Sequence, residues 1–463
     1  MTNNKENKPL KQGKNMVNIG NKLAKPSKEI KLNPKAVENI RKDNERRAKK
    51  YTLLRSIFEL DSNGNVKKNS LNNVVAILAN DPIFKDAFKF NEFTQENEIV
   101  KNIPQLNINC GSFEDTVIDM IAYYIERKQD YDRVLFSQQN IRSAINVVCK
   151  AHSYDPVTNY LNQCYQKWDG KPRLQKIFTT YLGAEDSEVN HTIAIHFFSN
   201  AVAQAFEPGR KNDEALDLVG KQGTGKTEFA RRMTPLHLYT DSFASFVKPD
   251  DLNQFRLSFF INDDELAVSN KISFDEVKKF VTKQEISFRP SYGHYLRTFK
   301  RRWSFIRTTN NLYYLKDLTG NRRFMPVLAN KNNAKKSIFS MTENDKQQLW
   351  GEAVAFYKKD IAETKKDEKF KGILHFTPEQ EKEILQAQLQ FTGTSSVEDQ
   401  IDYLVNVEIF ANESFIKSMD LAEKLNIDPV RDSKIMANVS SIMVNKMGFK
   451  KTKQKGYKGF KRL

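Results

Sequence analysis

The sequence lacks what would place it in a membrane, in an oxidising compartment or around a structural metal. No apolar run approaches the roughly 18 residues that a spanning helix needs, so no membrane span is expected. The cysteines are three, Cys110, Cys149 and Cys164, with no Cys-x-x-Cys pair, and the six histidines do not join them in a zinc-ligand spacing. A reduced, cytoplasmic setting and no structural metal follow. The first residues, Met-Thr-Asn-Asn-Lys-Glu-Asn-Lys, have no apolar core and do not read as a secretory signal. What is present is a 463-residue chain, 39% hydrophobic and 28% charged, too long for one core and suited to two to four soluble domains.

Acidic residues are scarce at both ends. Residues 1–50 carry fifteen Lys/Arg against five Asp/Glu and no aromatic side chain, and residues 446–463 carry eight basic residues and no acid. The net charge is +17, so the stretch between them is close to neutral. Basic ends of this kind are the footprint of segments that meet nucleic acid, with a solubilising tail or an anionic membrane surface as the competing reading.

The composition divides the chain. Residues 1–50 read as a disordered basic tail. Residues 51–155 show helical spacing at 70–78, 115–126 and 137–151 and read as a mostly helical N-terminal domain. Residues 156–360 read as an α/β nucleotide-binding domain, with a helical lead-in over 156–212, including a long helix over 187–206 stopped by Pro208-Gly209, and a core over 213–330. Residues 361–393 are charged and Gln-rich and read as a linker, and 394–463 as a last small domain.

The core carries the chemistry. Gly220-Lys-Gln222-Gly223-Thr224-Gly225-Lys226-Thr227 fits the phosphate-loop pattern at every fixed position, after a strand-like Ala215–Val219 and before a helix-like run. Its glycines turn backbone N–H groups towards phosphate oxygens, Lys226 reaches the β- and γ-phosphates of ATP, and Thr227 holds Mg²⁺. The apolar run 257–261 ends in Asn262-Asp263-Asp264-Glu265, which assigns Asp264 to the metal and Glu265 as base for the attacking water, with Asp263 able to shift that register by one. A third strand-like run, 303–309, ends in Asn310, a candidate for orienting the water. Arg322 and Arg323 follow a glycine turn and suit an arginine finger for a neighbouring subunit, with a local salt bridge as the alternative. Two β-like runs flank 291–294 and form a hairpin carrying Arg289, His294, Arg297, Lys300, Arg301 and Arg302 among aromatics, the mix that tracks phosphates and stacks on bases. In the last domain, helix, turn, helix and a basic hairpin with Gly456 at its tip make a winged-helix pattern. Lys434 and Asn438 on its second helix are candidate base readers, and Lys450, Lys451, Lys453 and Lys455 candidate phosphate contacts.

Together the chain resembles the virulence-associated protein E family. The residues that carry the resemblance are Trp168-Asp-Gly-Lys-Pro-Arg-Leu174, Gly220 to Thr227, Phe288-Arg-Pro-Ser-Tyr-Gly293, Thr308-Thr-Asn310, Thr319-Gly-Asn-Arg-Arg-Phe324 and Leu349-Trp-Gly-Glu-Ala-Val354, with a looser likeness at Asn72-Asn73-Val and Asn91-Glu92-Phe. The family commonly shows a single Glu-Leu where this chain has Asp-Asp-Glu-Leu, and Glu265 matches that Glu. The primase-type region that some relatives carry at the N-terminus has no counterpart here. The resemblance implies a multidomain α/β protein with a superfamily 3-like AAA+ core, a hexameric DNA helicase with 3′→5′ polarity acting at a replication origin of a phage or mobile element in a bacterial cytoplasm. The expected function is an ATP-dependent helicase and replication initiator that binds duplex origin and single-stranded DNA and meets host replication proteins. The alternative is an ATP-switched origin-binding or loader protein that does not unwind.

Overall fold

The computed structural model describes residues 38, 41–42, 56–290, 295–315, 321–367, 369–370, 372–391, 401–402, 404–405, 410, 413–425, 427, 433–445 and 447–462. The basic tail expected over 1–50 lies almost wholly outside them. The described residues fall into two compact units, one comprising those up to Lys85 with 103–108 and 114–147, the other the remainder. The boundary expected near residue 155 therefore falls elsewhere, because residues 86–102, 109–113 and 148–155 group with the larger unit.

The smaller unit is built on helices. Ser70 caps helix Leu71–Asn80 by accepting from the Asn73 N–H, and the helix buries Val74, Ile77 and Leu78. Asn73, itself fully buried, donates to the Glu59 and Lys67 carbonyls and accepts from the Glu59 N–H, so one amide pins the preceding segment. Helix Asp115–Arg127 turns Val117, Ile118, Ile121 and Ile125 inward at helical spacing. Buried Asp81 accepts from the hydroxyls of Tyr124 at 3.0 Å and Tyr131 at 2.5 Å, which satisfies a carboxylate that burial would otherwise penalise. Helix Gln138–Ala151 begins in this unit.

The larger unit starts with a small sheet that the helical reading of the front segment did not anticipate. Strands β1 (Phe88–Asn91), β2 (Glu96–Ile99), β3 (Gly111–Ser112) and β4 (Ser153–Tyr154) lie in the order β3-β2-β1-β4. Each is two to four residues long and β2 reads Glu-Asn-Glu-Ile, too short and too charged for an alternating pattern to stand out. Asp155 then caps helix Pro156–Lys167 through the Val157 and Thr158 N–H groups, with proline at the first helical position. Helix Glu188–Phe206 is buried on nearly every side between Ile193 and Ala205 and stops before Pro208.

The centre is a parallel sheet of β5 (Ala215–Val219), β6 (Tyr239–Thr240), β7 (Phe260–Asp263), β10 (Ser304–Thr309) and β11 (Phe324–Leu328), with β8 (Glu285–Phe288) and β9 (Arg297–Lys300) pairing antiparallel as a separate hairpin. The order is β11-β5-β10-β7-β6. Successive residues of its strands enter opposite cores. Leu216, Leu218, Phe260 and Ile306 pack with the 156–206 helices and Trp350, whereas Ala215, Val219, Ile261 and Phe305 pack with Phe255, Val277 and Phe280. Strand β7 begins at Phe260, later than the apolar run from Leu257 suggested, since Leu257 is the C-cap of helix Pro249–Arg256.

Two sequence motifs meet in the packing. In helix Glu343–Lys366, Gly351 lies so close to the helix 156–167 backbone that a Cβ would sit 2.5 Å from the Cys164 carbonyl oxygen. The neighbouring Glu352, buried, accepts from the Arg173 and Leu174 N–H groups, and Gln348 accepts from the Asp169 N–H. The Trp168–Leu174 and Leu349–Val354 motifs therefore serve each other as architecture.

The expected linker is mostly ordered against this core. The Glu343 helix runs to Lys366, and helix Pro378–Gln388 follows. Gln388 donates to the Phe324 carbonyl, and Phe391 joins the cluster with Tyr314 and Leu315. At the C-terminus, β12 (Phe415–Lys417), helix Ser418–Lys424, helix Ser433–Asn445, β13 (Phe449–Gln454) and β14 (Tyr457–Arg462) form an antiparallel sheet, β12-β14-β13, beside two helices around Ile416, Leu421, Val439, Met443 and Phe460. Lys455 and Gly456 both take left-handed φ in the two-residue β13–β14 turn.

Candidate functional site

The parallel register brings three strand ends together. Residues 215–219 of β5 pair with 305–309 of β10, and 304–307 of β10 pair with 260–263 of β7, so the loop after β5, Asn310 after β10 and the acids after β7 share one edge. Open parallel sheets bind ligands at this edge, beyond the carboxyl ends of their strands. In the loop, Gly220, Gly223 and Gly225 have φ of +148°, +80° and +88°, and a Cβ on Gly220 would lie 2.4 Å from the Ala329 carbonyl oxygen. Only glycine satisfies both demands there. Gln222 is exposed and Thr224 half-buried on the same loop. Gly225 is the N-cap of helix Lys226–Met233, which directs the helix N-terminus into the loop.

Lys226 is 5% exposed. Its Nζ donates to the Gly220 carbonyl at 2.7 Å, the Lys221 carbonyl at 3.2 Å and Asn310 Oδ1 at 2.8 Å. Burial lowers the pKa of this ammonium, while Glu265 and Asp264 act in the opposite direction. Asn310 Nδ2 donates in turn to Glu265 Oε1 at 2.7 Å. Thus one amide joins the loop lysine to the carboxylate.

The three acids have three different environments. Asp263 is buried and accepts from the Val268 and Ser269 N–H groups at 2.9 and 2.8 Å, which commits its carboxylate to the turn. Asp264 Oδ1 accepts from the Thr227 hydroxyl at 2.7 Å, the Thr308 hydroxyl at 2.6 Å and Asn262 Nδ2 at 3.3 Å. Glu265 is exposed, and its N–H donates to Thr308 Oγ1. Glu265 and Leu266 both have φ of +53°, a left-handed pair of non-glycine residues, each costing roughly 1–3 kcal/mol.

The oxygen pair Thr227 Oγ1 and Asp264 Oδ1 is a hard donor set of the kind Mg²⁺ takes when substrate phosphates and water complete its shell, so these residues fit the ion. A cavity of about 280 Å³ beside the loop is lined by Tyr181, Gly223, Thr224, Gly225, Lys336 and Phe339 among others.

The remaining candidates lie apart from this cluster. Arg322 is exposed and Arg323 half-buried on the turn before β11. Phe324 of β11 pairs with Ala215, at the start of β5, so both arginines lie at the opposite end of the sheet from the loop. Arg289, Arg297 and Lys300 are exposed on the β8–β9 hairpin, and His294 lies outside the described residues. Arg301 and Arg302, counted with the hairpin's basic groups from sequence, are held inside. The Arg301 guanidinium, fully buried, donates to the Trp303, Asn212 and Val281 carbonyls, and burial pushes its pKa down to about 10. Arg302 pairs with Asp155 and donates to the Glu92 and Ala205 carbonyls. Lys450, Lys451, Lys453 and Lys455 are exposed on the C-terminal hairpin. Lys434 and Asn438 are on helix Ser433–Asn445, with their side chains outside the described residues.

Sequence reasoning missed two groups. Thr308 stood in the quoted Thr-Thr-Asn motif without a role, yet it touches both Asp264 and the Glu265 backbone. Asp217 and Arg307, paired side by side on β5 and β10, form a buried ion pair at 2.7 and 2.5 Å to which the Tyr314 hydroxyl adds a third bond. Their charges lay inside strand-like runs, and only the β5–β10 register reveals that they face each other.

Fold and site together define a multidomain α/β protein whose parallel sheet gathers a glycine loop, a lysine and two carboxylates at one edge. The sequence matches the virulence-associated protein E-like domain over residues 161–392, and the chain belongs to that family. No curated protein matches it. Solved structures similar to it include three of the NrS-1 C-terminal region. An A form apo structure of residues 305–718 has a TM-score of 0.33 at 13% identity, a second A form apo structure 0.36 at 11%, and a further apo structure 0.34 at 15%. Each match covers 81% of this chain and 96% of the other. Among the described residues no helix is long and apolar enough to cross a membrane.

Proposed function

We propose that this chain is an ATP-dependent DNA helicase and replication initiator, with an AAA+-type phosphate loop at Gly220–Thr227. The observation that carries the reading is the continuous path Lys226–Asn310–Glu265 beside Thr227–Asp264, five side chains from three parallel strand ends. In this reading the loop N–H groups and Lys226 hold the β- and γ-phosphates of ATP, and the cavity beside the loop takes the nucleoside. Thr227 and Asp264 would hold Mg²⁺, which neutralises phosphate charge when bound. Glu265 accepts the proton of the attacking water, and Asn310 orients that water while tying its position to Lys226. Arg322 and Arg323, at the far end of the sheet, are too distant to serve their own loop, which supports a finger acting on a neighbouring subunit of a ring, a hexamer by family resemblance.

The C-terminal sheet and its two helices support a winged-helix origin reader, with Lys450, Lys451, Lys453 and Lys455 on duplex phosphates. Arg289, His294, Arg297 and Lys300 would meet the single strand. The setting is a bacterial cytoplasm, with host replication proteins as partners. Phosphate release measured with and without single-stranded DNA tests the coupling. Stimulation of about tenfold or more is expected, since the hairpin proposed to meet the strand follows the Glu265 segment in the chain. Turnover indifferent to DNA would instead favour an ATP-switched loader.

A further inference from the structure

A second cavity, of about 300 Å³, lies away from the glycine loop, along strand β9. Arg297, Thr298, Phe299 and Lys300 all line it. Side chains of a strand alternate between faces, so a cavity reached by four consecutive residues runs along the strand's edge, here the edge that β8 does not pair. The rest of its lining comes from the β1–β2 turn, with Phe93, and from Pro208, Arg256 and Arg302.

The four cations of the lining are not equivalent. Arg256 is neutralised by Glu96 and Arg302 by Asp155, so these two are fixed parts of the lining. Arg297 and Lys300 have no acidic partner among the described residues and are exposed. The one carboxylate in the lining, Glu92, accepts from the Ser153 hydroxyl at 2.7 Å. The Arg297 guanidinium sits 4.9 Å from the centre of the buried Phe299 ring, with Arg256 5.1 Å from the same ring. A guanidinium is planar and can stack a base, and an exposed lysine near it is a point charge for a phosphate.

We infer that this cavity holds one nucleotide unit of a single-stranded polynucleotide, its base against the Arg297 plane and its phosphate on Lys300. The inference rests on the reading of this chain as a DNA-acting protein and adds a built site to it. A base-paired stack does not fit a site sized for one unit.

The test is fluorescence anisotropy of a labelled oligothymidylate titrated with the full chain, at several salt concentrations. Arg297→Ala with Lys300→Ala should weaken binding roughly 5–100-fold and reduce the salt slope by about one to two. Arg297→Lys keeps the charge and loses the plane, so affinity should fall several-fold with the salt slope unchanged. Thermal melting of each variant checks its fold, and the conservative Arg297→Lys keeps the test open should the double variant be unstable. Wild-type affinity in Arg297→Lys overturns the stacking site while leaving DNA action intact. Displacement of the oligonucleotide by thymidine monophosphate overturns the polynucleotide as its source. No binding by the wild-type chain overturns both this site and the reading beneath it.

Discussion

Lys226→Ala is expected to reduce ATP hydrolysis by about three orders of magnitude, roughly 4 kcal/mol of transition-state stabilisation. The side chain is buried, and its ammonium is held by two loop carbonyls and by Asn310 at 2.7 to 3.2 Å. Alanine removes this ammonium from the loop and also frees the Asn310 amide, whose other end holds Glu265. The loss therefore combines phosphate charge and water positioning. Duplex binding should persist, because the basic hairpin at 449–462 belongs to a separate sheet with its own core. Phosphate release and anisotropy on a labelled duplex read the two properties independently. Turnover within tenfold of wild type would remove Lys226 from the proposed chemistry.

Glu265→Gln should lower kcat by about 10²–10⁴-fold, the range for losing a positioned general base. Glutamine keeps the size of the side chain and an oxygen for the Asn310 N–H, so nucleotide affinity should change little. The two neighbouring acids supply internal contrasts. Asp264→Asn weakens the oxygen pair with Thr227, so its defect should appear in the magnesium dependence. Asp263→Asn disturbs a carboxylate bonded to the Val268 and Ser269 N–H groups, so its defect should appear in thermal stability. Single-turnover hydrolysis, nucleotide binding and melting curves separate the three. A Glu265→Gln enzyme that turns over normally, beside an Asp264→Asn enzyme that binds nucleotide normally, would shift the acid assignments by one residue.

Much of this site was legible because its chemistry has fixed spacing. A glycine loop with lysine and threonine, a strand ending in acids and a strand ending in asparagine can be recognised one segment at a time. The order of the acids was not legible, since three carboxylates in a row differ only in where the chain turns, and the turn at Glu265 and Leu266 uses a left-handed backbone that these residue types do not announce. Charge counting also failed at Arg301 and Arg302, which look like hairpin cations in sequence and are held by backbone carbonyls and Asp155 in the fold. The 378–391 segment hid its packing residues, Ile384, Gln388 and Phe391, among glutamates and glutamines. The pairing of Asp217 with Arg307 depends on strand register, which no local pattern specifies.

The most direct measurement is strand displacement from a tailed duplex by the purified chain with ATP and magnesium. The account predicts ATP-dependent displacement on one tail polarity, lost in Lys226→Ala and Glu265→Gln. Hydrolysis of ATP and binding of DNA without displacement on either tail would contradict it, and would make this chain an ATP-controlled DNA binder rather than a motor.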